Sequence, residues 1–118
     1  MAEKDAVGAF GEGVAVRHLE AAGMVVLDRN WRCGDGEIDV IARDGETLVF
    51  CEVKTRRGTR YGGPAAAVVP AKVRRLRRLA LRWLRESGLH PRDLRFDVVS
   101  VLAPRHGGTD VEHLRGVF

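Results

Sequence analysis

Residues 36–56 read GEIDVIARDGETLVFCEVKTR, and Glu37, Asp39, Glu52 and Lys54 stand among their apolar residues. By pattern the stretch is a β-hairpin, two alternating runs around Asp44-Gly45, a dipeptide that favours tight turns. With Asp44 and Gly45 as the central turn residues, Glu37 faces Glu52 and Asp39 faces Phe50. Side chains alternate between the two faces of a strand. One face then carries Ile38, Val40, Val49, Cys51 and Val53. The other carries the four charged residues at one end and Ile41, Leu48 and Phe50 at the other. A three-residue turn would move Asp39 to the opposite face, but gathering the Val and Ile side chains on one face selects the even turn.

Both faces are partly apolar, so the hairpin belongs to a sheet covered by helices on both sides, with the acids at a rim. Three carboxylates and a lysine in such a place need a cation. A hard divalent ion, Mg²⁺ or Mn²⁺ in its place, takes oxygen ligands and keeps several waters, so few protein ligands are needed. Asp39 and Glu52 are the expected ligands, with the Val53 carbonyl as a third. Lys54 is two residues beyond Glu52 and shares its face, where it can orient or deprotonate a water or neutralise a displaced phosphate. The chemistry indicated is metal-assisted phosphodiester hydrolysis. Glu37, next to the loop, is read as a hydrogen-bonding support to the ligands rather than a ligand.

The elements that must position these groups follow from periodicity and punctuation. Val7, Phe10, Val14, Leu19 and Ala22 have helical spacing over residues 5–22, and Gly23 ends that helix. Residues 24–32 read as a strand, 37–43 and 47–55 as the hairpin, 94–102 as a further strand and 111–117 as a short last one. Between them, Pro70 opens a helix running to Ser87, with Leu76, Leu79, Ala80, Trp83 and Leu84 on one stripe and Gly88 after it. The expected order is α-β-β-β-α-β-β.

At 118 residues and 45% hydrophobic content, the chain suffices for one core, and a single domain over 1–118 is expected, with only the first five residues loose. Its formal charge of +4 favours an anionic partner. Two cysteines make no disulfide framework and no zinc spacing, which fits the cytoplasm best. No apolar run reaches the roughly 18 residues of a membrane span, and the N-terminus lacks the apolar centre of a signal peptide.

Of the 20 basic residues only 3 are Lys, and two of those are Lys54 and Lys72. Lys72 opens the second helix, where its ammonium and the helix N-terminus together suit a phosphate. That helix also carries Arg74, Arg75, Arg77, Arg78, Arg82 and Arg85 before its first acid, Glu86. A stripe so unbalanced suits a polyanion, with Arg75 and Arg78 as phosphate contacts. Arg56, Arg57 and Arg60 extend that surface. Trp31 and Tyr61 are read as packing residues, and no histidine is assigned a role.

Asp39 followed by a hairpin and then EVK resembles the D…(D/E)xK signature of restriction-endonuclease-like nucleases. The wider pattern, GEGVAVRHLEAAGMVVLDRNWR, GEIDVIA…LVFCEVKTR and RFDVVSV, resembles the YraN family of bacterial proteins, which are similar to archaeal Holliday-junction resolvases. The resemblance implies a three-layer α/β fold, a central mixed β-sheet flanked by helices. It also implies an endonuclease acting on DNA, with branched or junction DNA as substrate and a homodimer as the assembly. A glutamate on the first helix joins the site in resolvase-like relatives, and Glu12 matches it. Gly11 and Gly13, each costing about 1 kcal/mol inside a helix, then make sense as close backbone approach. Cys51 departs from the usual β-branched residue but faces the core. The alternative expectation is a nucleic-acid-binding module that keeps the fold with little or no catalysis.

Overall fold

Glycines close both helices, and β-branched alternation fills most of the remaining chain. The computed structural model describes residues 2–58 and 69–117, with side chains from Ala6 onward. Its elements are α1 (Ala2–Ala21), β1 (Val25–Cys33), β2 (Gly36–Asp44), β3 (Thr47–Arg56), α2 (Pro70–Ser87), β4 (Asp93–Leu102) and β5 (Asp110–Leu114). The order is the expected one, although α1 begins at Ala2 rather than Asp5. Gly88, at φ 72, ends α2 in the left-handed conformation and donates its N–H to the Leu84 carbonyl. No described helix is long and apolar enough to cross a membrane.

The five strands form one mixed sheet in the order β1-β2-β3-β4-β5, antiparallel except for the β3–β4 pair. Parallel neighbours require a long crossover, and the segment containing α2 provides it. On one face Ala15, Val16 and Leu19 of α1 pack on Val40, Val49, Cys51 and Val99. On the other, Leu76, Leu79, Ala80 and Trp83 of α2 pack on Ile41, Leu48, Phe50 and Phe96. Phe50 is central there, stacked on Phe96 with ring centroids 5.6 Å apart and edge-on to Trp83 at 6.0 Å. Layers of helix, sheet and helix result, as expected of a restriction-endonuclease-like chain.

Three details correct the expected register. Asp44 pairs with Thr47, so the central turn residues are Gly45 and Glu46 rather than Asp44 and Gly45. Gly45 has φ 62, and glycine at the first central position is what a type II′ hairpin turn demands. Val40 therefore faces Cys51 instead of Val49, and continuing that register sets Asp39 level with Glu52, not Phe50. The shift is by two, so each residue keeps its face. Ile38 is the exception: it packs with the α2 cluster, not beside Val40. Its partner in β1 is Trp31, Val40's is Arg29, and between those two Asn30 has φ 51, a break in the extended backbone where alternation fails. Phe10, placed on the buried stripe of α1, is 48% exposed. The helix instead turns Gly11, Ala15, Val16 and Leu19 inward.

Candidate active site

Gly11 allows α1 to lie directly on β3. A Cβ added there would stand 2.6 Å from Cγ2 and 2.7 Å from Cβ of Thr55, so only glycine permits the approach. Gly13 has no such role, since a Cβ there would meet nothing nearer than the Arg17 guanidinium at 3.5 Å. Gly11→Val should cost about 1–3 kcal/mol, the usual size of overpacking. Urea denaturation of this variant, and recovery of part of the loss in a Gly11→Val, Thr55→Ala double variant, check the contact.

The contact brings Glu12 toward the acids of the hairpin. Asp39 is half-buried, and its Oδ2 accepts the Val53 N–H at 2.8 Å. Its carboxyl is pushed up to about 6, first by burial and then by the negative charges of Glu12, Glu52 and Glu37, against the opposing effect of the Val53 hydrogen bond. Glu52 has a different environment. Lys72 Nζ, from the first turn of α2, is 2.9 Å from its Oε1. Lys72 also comes within hydrogen-bonding reach of Lys54. Burial pulls the Lys54 ammonium below its usual range, as do the positive charges of Lys72 and Arg56, while Glu52 opposes the shift. Two ammonium groups repel each other, so the neighbouring Lys72 adds to the downward shift at Lys54.

Asp39, Glu52 and Lys72 line a recess of about 360 Å³ together with Glu37 and Arg75, over the apolar edge of Leu76 and Leu79. Asp39, Glu52, Lys72 and Arg75 thus share the recess, while Glu12 acts by charge on Asp39 and Lys54 is coupled to Glu52 and Lys72. Glu37 borders the recess, but its carboxylate accepts from exposed Arg32 at 3.0 Å. At Val53 it is the amide, not the carbonyl, that touches Asp39. Arg78 is exposed on α2 outside the recess, Arg56 is half-buried at the end of β3, and exposed Arg57 borders a different hollow. Arg60 and Tyr61 lie outside the described residues. Cys51 faces the core as expected, and burial together with the charges of Asp97 and Asp39 pushes its thiol up, leaving it inert.

Among the described residues no three carboxylate, imidazole or thiol side chains form a cage for a metal ion. The donor chemistry still fits Mg²⁺, which is commonly held by one or two carboxylates with waters and phosphate. Glu52 already has a cation in Lys72, whereas burial and the neighbouring carboxylates hold Asp39 half-protonated near pH 6.

One constellation was absent from the expectations. Asp97, in β4, is fully buried, and Arg95 donates to it through Nε at 2.9 Å and Nη2 at 3.0 Å. His113 Nε2 is 2.7 Å from the same carboxylate and the Gly116 N–H donates at 3.0 Å. His113 Nδ1 is 3.1 Å from His18 Nε2, so a hydrogen-bond chain links β4, β5 and α1. Burial alone would raise the Asp97 carboxyl, but His113, Arg95 and Gly116 lower it to about 2. The signal was in the sequence: an Asp within the apolar run LRFDVVSVL is the same oddity as Asp39 in EIDVIA.

A family model described as uncharacterised protein family UPF0102 matches residues 11–101. A UPF0102 protein of Beutenbergia cavernae is 61% identical over 117 residues, covering 99% of each chain. One from Frankia alni is 60% identical over 118 residues, covering 100% of this chain and 98% of the relative. One from Streptomyces coelicolor is 56% identical over 119 residues, covering 99% and 92%. The match spans the first helix, the hairpin and the fourth strand, the segments that carry the YraN resemblance, and the chain belongs to uncharacterised protein family UPF0102, the YraN family.

Proposed function

We propose that the protein is a Mg²⁺-dependent endonuclease that hydrolyses DNA phosphodiester bonds, with branched or junction DNA as its substrate class. The observation that carries this reading is the convergence of Asp39 and Glu52 from adjacent strands with Lys72 at one recess, with Lys54 in electrostatic contact with Glu52 and Lys72. Asp39, Glu52 and the Val53 carbonyl would hold the metal, which supplies Lewis-acid polarisation of the scissile phosphate and of a water. Lys54, held toward its neutral form by burial and by Lys72, is suited to take a proton from the attacking water. Lys72 and the N-terminus of α2, whose first turn contains no acid, neutralise charge on the phosphate. Glu12 adds a carboxylate from the α1 side. Mn²⁺ would substitute for Mg²⁺ at such a site.

The second reading, a DNA-binding module with little turnover, is favoured by one contact: Glu52 is already paired with Lys72 at 2.9 Å. Incubation with Mg²⁺ or Mn²⁺ and a panel of single-stranded, duplex, flapped and four-way-junction DNAs separates the two. Metal-dependent cleavage that disappears in Lys54→Ala supports the enzyme, whereas binding without cleavage on every substrate supports the module.

Either reading places DNA along the basic face of α2. Affinity should fall steeply with salt, by about one unit of log–log slope per phosphate contact. Reversal of Arg75 and Arg78 to Glu should reduce that slope by about two units and weaken all sequences alike. A fluorescence-anisotropy titration at several salt concentrations provides the check, and an unchanged slope would remove the α2 face from the interface.

A further inference from the structure

Lys72 makes a contact that a metal at the proposed site would disturb. Its Nζ stands 2.9 Å from Glu52 Oε1, and the two side chains are only 30% and 23% exposed, so water screens the pair less than it would at an open surface. The pair spans the recess that Asp39 and Arg75 also line. Lys72 meets Lys54 there as well, and the two ammonium groups repel. The Glu52 carboxylate therefore holds Lys72 in place against the charge of a second lysine.

That balance fails once Asp39 and Glu52 are given to a divalent cation. Lys72 would then share Glu52 with a stronger positive charge and face that charge beside the one on Lys54. The other acid lining the recess, Glu37, is engaged by Arg32 at 3.0 Å. The first turn of α2, where Lys72 sits, contains no acid. A substrate phosphate is the partner left for the ammonium, a compact point charge on a flexible stem that suits phosphate as well as carboxylate.

We propose that Lys72 is a positioning residue that exchanges Glu52 for a substrate phosphate, so that divalent metal and DNA bind cooperatively and the protein without DNA holds the metal weakly. The inference rests on the nuclease reading of the same recess and adds a coupling to it. A phosphate draws Lys72 from Glu52, and the carboxylate is then free for the metal. Either ligand arriving alone must break the pair, whereas the two together break it once. The coupling is reciprocal, so the metal tightens DNA binding by the same factor as DNA tightens metal binding. On this arrangement the pair between Glu52 and Lys72 is the resting contact of an enzyme rather than a mark of lost turnover.

The test reads Mn²⁺ binding to the protein without DNA from the loss of the free-ion electron paramagnetic resonance signal, which does not depend on cleavage. Lys72→Met, a substitution neutral for helix formation, should bind Mn²⁺ about ten-fold more tightly than wild type, because no pair has to be broken first. Arg75→Met removes an equal charge from the same recess, where no described hydrogen bond joins Arg75 to Glu52, and should gain clearly less. Four-way-junction binding with and without Ca²⁺ supplies the second measurement. The factor by which Ca²⁺ tightens it should be about ten-fold smaller in Lys72→Met than in wild type, and unchanged in Arg75→Met. Equal Mn²⁺ gains in the two variants would overturn the proposal, since charge alone would then account for them. An unchanged affinity in Lys72→Met would also overturn it, the metal then sharing Glu52 with Lys72 through the other carboxylate oxygen. The same holds for an undiminished Ca²⁺ factor. The expected differences in a protein that cleaves nothing would support the exchange while the nuclease reading fails. Mn²⁺ binding by none of the proteins would overturn the metal site and the exchange together.

Discussion

Asp39→Asn should abolish metal-dependent DNA cleavage and raise the melting temperature of the metal-free protein. The loss of cleavage should be at least about a hundred- to a thousand-fold, the size seen when one preorganised charge-stabilising group is removed. The gain in stability follows from the Asp39 carboxyl. It titrates at about 6 in the folded protein against 3.8 ordinarily, so the folded state holds the proton more tightly than the unfolded chain. The ionised form therefore costs stability, fully above pH 6 and less as pH falls toward 3.8. A shift of about two units corresponds to roughly 2–3 kcal/mol, hence about 5 °C or more at pH 8 for a domain of this size. Asn retains an oxygen for the Val53 N–H and removes the charge. Melting curves at pH 8 and pH 4 are the measurement, with the gain present at the first and gone at the second.

Affinity for DNA in Ca²⁺ should be intact or tighter in Asp39→Asn, because a negative charge beside the phosphate has been removed. Lys54→Ala should also lose cleavage but without that gain, since it removes no negative charge from beside the phosphate. Cleavage that persists in Asp39→Asn would sink the proposed site.

Asp97→Ala should be the most destabilising single substitution outside the hydrocarbon core. It leaves the Arg95 guanidinium, the His113 imidazole and the Gly116 N–H without their shared acceptor in a fully buried place. Removing one partner of such a group costs about 3–5 kcal/mol, or more than about 10 °C in melting temperature. Acid should expose the same dependence in the wild type. The Asp97 carboxyl lies at about 2, below its ordinary 3.8, so its contribution is present above pH 4 and lost as pH falls toward 2. His18 is held below its ordinary value by burial, His113 and Arg115, so its contribution begins to fall once pH drops below 6.5. A melting-temperature profile from pH 8 to pH 3 reads both slopes, and Asp97→Asn should flatten the lower one. No change of cleavage beyond the loss of folded protein is expected, because the hydrogen bonds of the chain from Asp97 to His18 include neither Asp39, Glu52 nor Lys72.

Much of this protein was legible in the order of its residues. The element order, the two covered sheet faces and the gathering of Glu52 and Lys54 come from periodicities of two and about 3.6, which local backbone geometry imposes wherever the chain folds. Glycine punctuation at 23, 45 and 88 marks reversals because φ at those positions is positive, a local matter as well. Asp39 stood out because a charge in an apolar run is costly unless a neighbour compensates it.

The identity of that neighbour was not local. The hairpin turn chose Gly45-Glu46 over Asp44-Gly45, since glycine at the first central position suits the twist of the strands, and this set Asp39 level with Glu52. Ile38 changed faces where Asn30, in the neighbouring strand between the partners of Ile38 and Val40, breaks the extended backbone. Which of Gly11 and Gly13 permits the close approach depended on where Thr55 sits, and Phe10 was left in water because the helix rotated to bring Gly11 inward. The Asp97, His113 and His18 chain includes a link between two histidines 95 residues apart, and no short window of sequence contains it. Propensity and alternation act over a few residues, whereas burial and charge compensation are properties of surroundings that only the packed layers create.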